Sequence, residues 1–441
     1  MRLEFIPYFM HFLYNDESLP HIIVVGGGFA GLEFVKAIRH KPYRVTLFDT
    51  NNYHTFQPML YQVASGGIGP DGIAYPLRKI ISKFPNIAFR MAEVIEVFPI
   101  ENRIHTSIGD FSYDHLVIAS GAQTNFFGNN QLQQHTMQLK SIPDALDLRS
   151  NLLQEFEKAI TLRGTGKEIP ILNFVVVGGG PTGVETSGAL AEIKKNILPA
   201  DYNELNASLM QVHLVESSSR LLVAMSEKSS EAALRALLQL GVQVRLNTAV
   251  TGFDGEKLTL STGETLNTET VIWAAGVKGK VLKGIAEKAI GHSNRYITNG
   301  FLQIEGYSNI YALGDIACMK SDPKFPHGHP MVCTPAIQQG KYLAGNFNKL
   351  VKGKAVKPFH YFHPGSMATV GRHKAVMEIF GFRFKGLIAW FGWMFLHLMW
   401  LVGFRNRVIV FVNWMWNYLT YQRAIRLITR PYFKKGAAKN I

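Results

Sequence analysis

Cysteine is nearly absent from this 441-residue chain: Cys318 and Cys333 are the only two. At most one disulfide can form, so a disulfide scaffold is excluded and a reducing compartment is expected. No cysteine at all falls between residues 32 and 100. Acidic residues also run out. None follows Glu378, while Arg383, Lys385, Arg405, Arg407, Arg423, Arg426, Arg430, Lys434, Lys435 and Lys439 all do. Ten of the fourteen net positive charges thus sit in the last 63 residues, with five of the six tryptophans: Trp390, Trp393, Trp400, Trp414 and Trp416. A net charge of +14 invites a nucleic-acid reading. Basic side chains mixed with Trp and long apolar runs instead match an anionic membrane surface. The start, "MRLEFIPYFMHFLYNDESLP", is interrupted by Glu4, Asp16 and Glu17. It lacks the unbroken apolar run of a cleaved signal, and residues 1–20 read as an N-terminal extension.

Glycine is plentiful, with 40 residues in a chain that is 47% hydrophobic. That composition fits a turn-rich α/β protein, and the length leaves room for two or three domains. Two stretches share one plan. "HIIVVGGG" reads as a buried parallel strand, and Gly26, Gly28 and Gly31 complete G-x-G-x-x-G ahead of a helix over "LEFVKAIRH". The glycines allow a tight turn, close approach of backbone to pyrophosphate and close helix packing, while the helix N-terminus offers free N–H groups. The next strand, "YRVTLFD", ends at Asp49, placed to accept hydrogen bonds from ribose hydroxyls. The second unit has "ILNFVVVGGG", then Gly178, Gly180 and Gly183, the helix "VETSGALAEI", and Glu216 closing "QVHLVE". A carboxylate there binds the 2′-hydroxyl and repels a 2′-phosphate, favouring NADH over NADPH. Arg220 is the one feature that would favour NADPH, and it reads as a surface or pairing residue.

Two such cradles hold either FAD plus NAD(P) or two copies of one cofactor. "SNIYALGDIA" decides, because a late strand returning to the first domain with Asp315 in a tight glycine turn can place a carboxylate on a flavin ribityl chain. "FSYDHLVIASGAQTNFFG" and "ETVIWAAGV" supply crossover strands ending at Gly121 and Gly276, where backbone can pass close to a cofactor. The expected fold is α/β, with two Rossmann-like dinucleotide-binding domains, the NADH domain inserted in the FAD domain, followed by C-terminal membrane-binding helices. The expected bounds are 21–140 and 298–350 for FAD, 141–297 for NADH, and 351–441 for the C-terminal domain.

Beyond the cradles, "FDTNNYHTFQPMLYQVASG", "GGGPTGVE", "ALGDIA", "GSMATVGRHKAV" and the tail "GLIAWFGWMFLHLMWLVGFRNR" resemble segments of type II NADH dehydrogenases. These are the single-subunit, non-pumping NADH:quinone oxidoreductases of respiratory membranes. The resemblance runs from about residue 20 to 430. It implies noncovalent FAD that takes hydride from NADH and passes two electrons to a membrane quinone, the flavin carrying the hard chemistry while the protein positions nicotinamide and excludes water. It further implies FAD contacts at Gly26, Gly28, Phe29, Ala30, Gly31, Asp49, Asn52, Val94, Ala119, Ser120, Gly121, Asp315 and Ala336. NADH contacts are implied at Gly178, Gly180, Pro181, Thr182, Gly183, Glu216, Ala275 and Gly276. The family lines the quinone end of the flavin with A-Q-x-A-x-Q. Here "CTPAIQ" keeps the second glutamine as Gln338 and replaces the first by Thr334, whose hydroxyl reaches less far. A bland reading of Gln338 and Gln339 is a polar helix start. Glu185 matches a family glutamate near the nicotinamide–flavin contact that helps protons reach the quinone; its bland reading is a carboxylate facing its own helix N-terminus. A homodimer on the cytoplasmic face of a bacterial inner membrane is also implied.

Disulfide oxidoreductases share both cradles but need a C-x-x-x-x-C pair soon after the first, which residues 32–100 lack. Sulfide:quinone oxidoreductases use cysteine persulfide relays, to which the spacing of Cys318 and Cys333 does not assign these two. A membrane-tethered FAD/NADH-binding redox scaffold is the alternative from another class. No metal site is expected: His327 and His329 in "FPHGHP" read as solvated loop residues, and there is no EF-hand loop. Residues 387–404 hold one titratable group, His397, and as one helix would measure about 27 Å against a hydrocarbon core of about 30 Å. Monotopic embedding is expected, with a single span or a buried dimer helix as alternatives. Asn413, Asn417, Thr420, Arg423, Arg426 and Arg430 are expected on one face of a second, interfacial helix, with Trp414, Tyr418, Tyr421, Ile425 and Ile428 away from it.

Overall fold

The computed structural model describes residue 14, residues 16–420 and residues 426–434. The chain forms two compact units. One comprises Met1–Thr55, Ala74–Gln123 and Val277–His363; the other comprises Phe56–Ile73, Thr124–Gly276 and Pro364–Ile441. The first unit opens with β1 (His21–Val25), α1 (Phe29–Ile38), β2 (Arg44–Asp49), β3 (Ile87–Met91) and β4 (His115–Ile118). The second contributes α2 (Ile142–Thr161), β5 (Asn173–Val177), α3 (Pro181–Glu192), β6 (Gln211–Val215), α4 (Glu227–Gln239), β7 (Gln243–Arg245) and β8 (Thr270–Trp273). The chain then returns to the first unit with β9 (Ile310–Ala312) and α5 (Cys333–Val351).

In the first unit β9, β4, β1, β2 and β3 form one sheet in that order, all neighbours parallel. Every residue of β1 is buried, as expected of a continuous apolar run covered on both faces. Ile23, Phe48, Leu116, Ile310 and Tyr296 belong to one core beneath that sheet. Register decides what emerges where. Val25 lies opposite Phe48 and Ile118, and Ile118 opposite Ala312. Gly26, Asp49, Ala119 and the residues just past Ala312 therefore leave the sheet at one edge, the carboxyl ends of its strands. The second unit repeats this with the order Met137–Gln138, β8, β5, β6, β7. Val177 pairs with Val215 and with Trp273, so Gly178, Glu216 and Ala274 emerge together. Val175, Val215, Phe253 and Trp273 share its core.

The same unit carries the C-terminal elements: the antiparallel sheet β10 (Gly365–Gly371), β11 (Lys374–Ile379) and β12 (Phe382–Lys385), then α6 (Leu387–Trp400) and α7 (Phe404–Thr420). Glu378 fastens the sheet to the start of α4, accepting from the hydroxyls of Ser226 at 2.5 Å and Ser229 at 2.6 Å. The single helix expected over 387–404 does not form. Leu401 turns to ψ 135° and Gly403 to φ +88°, which ends α6 after 14 residues, about 21 Å. No described helix is long and apolar enough to cross a membrane.

The interfacial face expected of the second helix is corrected too. Tyr421, Arg423 and Ile425 lie outside the described residues, and Arg426, Ile428 and Arg430 lie beyond the end of α7 in non-helical chain. Arg426 pairs with Asp201 and Arg430 with Asp147. Within α7 the polar side points inward. Asn406 Nδ2 donates to the carbonyls of Asp71 (3.0 Å) and Gly72 (3.2 Å), and Asn417 Nδ2 donates to that of Gly67 at 2.9 Å. Trp414, expected on the apolar side, is buried and donates from Nε1 to Gln62 Oε1 at 2.8 Å. Phe404, Phe411, Val412, Trp416 and Leu419 face outward and are exposed. α6 likewise buries Ala389, Trp393 and His397 and exposes Ile388, Phe391 and Phe395.

Candidate functional site

The two cradles repeat one backbone arrangement. A Cβ added at Gly31 would lie 1.9 Å from the carbonyl oxygen of Gly26, and one at Gly183 would lie 1.8 Å from that of Gly178. Only glycine lets the helix pack so close to its own turn. Gly28 and Gly180 precede α1 and α3 with no side-chain cap, and the space beyond each Cα is open for 4 Å. Uncapped N–H groups and room for an anion are what a pyrophosphate requires. The middle glycine, outside the motif positions, turns out to orient the acid. Gly27 N–H donates to Asp49 Oδ2 at 2.6 Å, and Gly179 N–H donates to Glu216 Oε2 at 2.5 Å. The two acids then differ. Burial raises the Asp49 pKa despite bonds from Asn51 and Gly27. Burial pushes Glu216 the same way, but bonds from Ser218, Gly179 and Ser217 outweigh it and hold its pKa low. Arg220 leaves this carboxylate alone and donates to the carbonyls of Met225 and Val223.

Around the first cradle, the Ala119 carbonyl crowds Gly26, and Gly121 adopts φ +70° with open space beside it. Ser120 Oγ donates to the Lys280 carbonyl at 2.6 Å. Phe29 sets its ring edge against His54, whose Nδ1 bonds the Gly27 carbonyl at 2.9 Å. Ala30 is buried, Asn52 is exposed and gives its carbonyl to Leu77 N–H, and Val94 is buried in a short antiparallel sheet. Around the second, Pro181 and Thr182 open α3 on the exposed side, while Gly178 is crowded by Ala274 and Gly276 sits at φ +74° beside Ala275.

The turn carrying Asp315 is built from α5. Gly314, at φ +72°, packs against Ala30 and Ala336. Its N–H donates to Gln339 Oε1 at 2.6 Å. Gln339 is fully buried and directs its amide nitrogen toward His329 Nδ1 at 3.4 Å, and His329 Nε2 bonds Asp322 Oδ2 at 3.2 Å. Gln339, read from sequence as part of a polar helix start, thus anchors the turn that carries Asp315. His329 is corrected from a solvated loop residue to a buried link in that chain. Gln338 spends both ends of its amide on the backbone of Phe362, at 2.8 and 3.0 Å, and the Thr334 hydroxyl bonds that of Tyr361 at 2.7 Å. Both residues fasten the segment 361–362. Neither cysteine forms a disulfide, and burial pushes the Cys333 thiol up to about 12.

Glu185 does not face its own helix N-terminus. Its carboxyl is buried in the second unit, with Oε1 accepting from Thr369 N–H at 3.3 Å. Burial raises its pKa to about 8, against the opposing pull of that N–H and of the Trp393 indole, which lies near without completing a bond. A polar chain surrounds it. Gln62 Nε2 donates to Tyr61 Oη at 3.0 Å, leaving the Tyr61 hydrogen for Thr369 Oγ1 at 3.0 Å. Trp393 stacks on His397 at 3.9 Å, and burial lowers the imidazole pKa to about 4. β10 reaches this position because residue 188 is glycine: a Cβ there would lie 1.9 Å from the Val370 carbonyl oxygen. Tyr61, Gln62, Thr369 and Trp393 lie in segments that carry the family resemblance, but nothing local in those segments marks them as partners of Glu185.

The pyridine nucleotide-disulphide oxidoreductase family matches residues 20–340, and the NDH2 C-terminal domain matches residues 363–422. A type II NADH:quinone oxidoreductase of Mycobacterium tuberculosis, NdhA, is 34% identical over 92% of this chain and 89% of its own length. One from Staphylococcus aureus is 28% identical over 82% of this chain and 90% of its own. In structure, NDH2 from Plasmodium falciparum in complex with NADH matches with a TM-score of 0.85 at 22% identity, covering 93% of this chain and all of that one. The Aquifex aeolicus sulfide:quinone oxidoreductase matches with a TM-score of 0.70 at 19% identity over 95% of this chain. At such identities these two structures bear on the fold alone.

Proposed function

The chain belongs to the type II NADH dehydrogenases, the NADH:quinone oxidoreductases within the pyridine nucleotide-disulphide oxidoreductase family, and from that membership we propose how its residues divide the work. Bound FAD supplies the two-electron chemistry, taking hydride from NADH and returning electrons to a quinone. We assign FAD to the cradle of the first unit and NADH to that of the second, which takes in Thr124–Gly276. The observation that carries this is the duplicated cradle with unlike acids. Asp49 and Glu216 are both oriented by the middle glycine; burial raises the pKa of the first, while hydrogen bonds lower that of the second and favour its charged form. That charge disfavours the 2′-phosphate of NADPH.

Glu185 is the proton-carrying group on the quinone path. A buried carboxylic acid with a pKa near 8 is protonated at neutral pH and can release its proton without a large penalty. Thr334 and Gln338 act at the quinone end by holding Tyr361 and Phe362 in place. The outward faces of α6 and α7 supply a monotopic attachment to the cytoplasmic face of a bacterial inner membrane, and the working form is a homodimer. A persulfide relay is disfavoured, because Cys318 is fully buried and burial pushes the Cys333 thiol up to about 12, so it does not ionise readily.

Anaerobic titration of the purified protein tests the assignment. Flavin absorbance is expected to bleach with NADH and recover on adding quinone. Bound flavin that NADH fails to bleach would exclude the oxidoreductase reading and leave a scaffold.

A further inference from the structure

Phe127 is an exposed aromatic residue in a strained conformation. Its φ is +52°, a region that bulky L-residues avoid, and its side chain is 68% exposed. Burial does not offset that strain: the neighbouring Phe126, not Phe127, packs against Trp273, at 5.7 Å and against the core. The surrounding chain imposes the conformation. Asn125 N–H donates to the Gly276 carbonyl at 3.3 Å, and the Asn125 carbonyl accepts from Trp273 Nε1 at 2.9 Å. Asn125 Oδ1 accepts from Phe127 N–H at 2.9 Å, and Asn129 Nδ2 ties the far side to the Thr251 carbonyl at 3.1 Å. Strain of this kind persists only where neighbours over-determine it, and it concentrates at functional sites.

The ring points to a particular place. Its tip lies 2.8 Å from where a Cβ of Gly276 would stand, so glycine there leaves room for the ring. Gly276 follows β8, which neighbours β5 on the side opposite β6. In a parallel sheet of this kind a dinucleotide lies across the carboxyl ends of the strands. Glu216 at the end of β6 takes the adenosine half, and the N-terminus of α3 takes the pyrophosphate. The other half must run over the end of β8, where Phe127 stands.

We propose that the Phe127 ring is a contact surface for the nicotinamide–ribose half of NADH, held ready in the free protein by the Asn125 turn. This rests on the assignment of NADH to the second cradle. Phe127→Gly deletes the ring and also relieves the backbone strain. Its KM for NADH and its Kd for NAD+, read from perturbation of flavin absorbance, are expected to rise about tenfold, the factor that 1.4 kcal/mol gives. Its melting temperature is expected to hold or rise, chemically reduced protein should reoxidise with quinone at the unaltered rate, and Phe127→Tyr should restore NADH binding. A lower melting temperature with slower quinone reoxidation would make the ring structural and overturn the proposal, as would Tyr failing to rescue. If Phe127→Gly binds NADH normally while Glu216→Ala does not, the Phe127 proposal falls and the cradle assignment stands. If Glu216→Ala also binds normally, the cradle assignment falls.

Discussion

At Glu185 a carboxyl that would ionise near 4.5 in the unfolded chain keeps its proton to about 8 in the folded one. Between those values the unfolded state binds fewer protons than the native state, so stability falls as pH rises through that window and levels off above it. In Glu185→Gln the native site no longer ionises. Thermal unfolding between pH 5 and 8 should therefore depend less on pH than in the parent. The same variant should slow quinone-dependent turnover more than it raises KM for NADH. Unchanged quinone kinetics would remove Glu185 from the proton path. At the second cradle, Glu216→Ala should shrink the preference for NADH over NADPH by about tenfold or more, measured as the ratio of kcat/KM values. Arg220 will not compensate, since its guanidinium is occupied by the Met225 and Val223 carbonyls. An undiminished preference would place the selectivity elsewhere.

Among the elements, the contact of α3 with β10 sets the surroundings of Glu185. Gly188 lets the Val370 carbonyl approach the helix backbone, which sets Thr369 N–H over Glu185. Gly188→Ala inserts a methyl group into backbone that cannot yield, an overpacking expected to cost about 1–3 kcal/mol. The loss should appear as a lower melting temperature and as a weaker quinone half-reaction, with the NADH half-reaction preserved. Equal loss in both half-reactions would mean that the contact supports the nucleotide fold as a whole. Helix α7 shows how an expected helix can end before its polar face does and differ in orientation. Asn406 and Asn417 satisfy the carbonyls of Gly67, Asp71 and Gly72, and these partners were invisible to a count of polar positions along one helix.

For the molecule as a whole, attachment through the outward apolar faces of α6 and α7, as proposed, is distinguishable from attraction of basic side chains to a charged surface. Ionic attraction to a lipid surface is screened by salt, whereas buried Phe, Leu and Trp side chains are not released by it. High-salt washing of membranes is therefore expected to leave most of the protein bound. Replacing Phe391, Phe395, Phe411 and Leu419 together by serine should release it without detergent while it still oxidises NADH with a water-soluble quinone. These side chains point away from the Glu185 pocket, whereas removing everything from residue 380 would also take away Trp393 and Trp414, which are buried within the unit. Persistent membrane binding of the fourfold variant would move the attachment to another surface.

Both nucleotide folds were legible from sequence because their signals are local. A buried strand, a spaced glycine trio, a helix and an acid at the next strand end fall within a few dozen residues, and each demand is met by a residue type that little else can replace. The family resemblance and the choice of Glu216 rest on the same short-range order. The pocket around Glu185 was not legible, since Tyr61 and Thr369 stand 308 residues apart in the chain. Gln339 was hidden for a similar reason: its partners, Gly314 and His329, lie in the chain preceding its helix, and no helical periodicity marks them. Sequence by itself determined which backbones leave room for a phosphate and which acid closes the strand after each cradle, because those properties belong to single residues and short turns. Tertiary structure alone decided which carboxyl is buried and protonated, which side of each C-terminal helix faces out, and where Phe127 stands, because burial and partner choice depend on chain segments that meet only when the protein is folded.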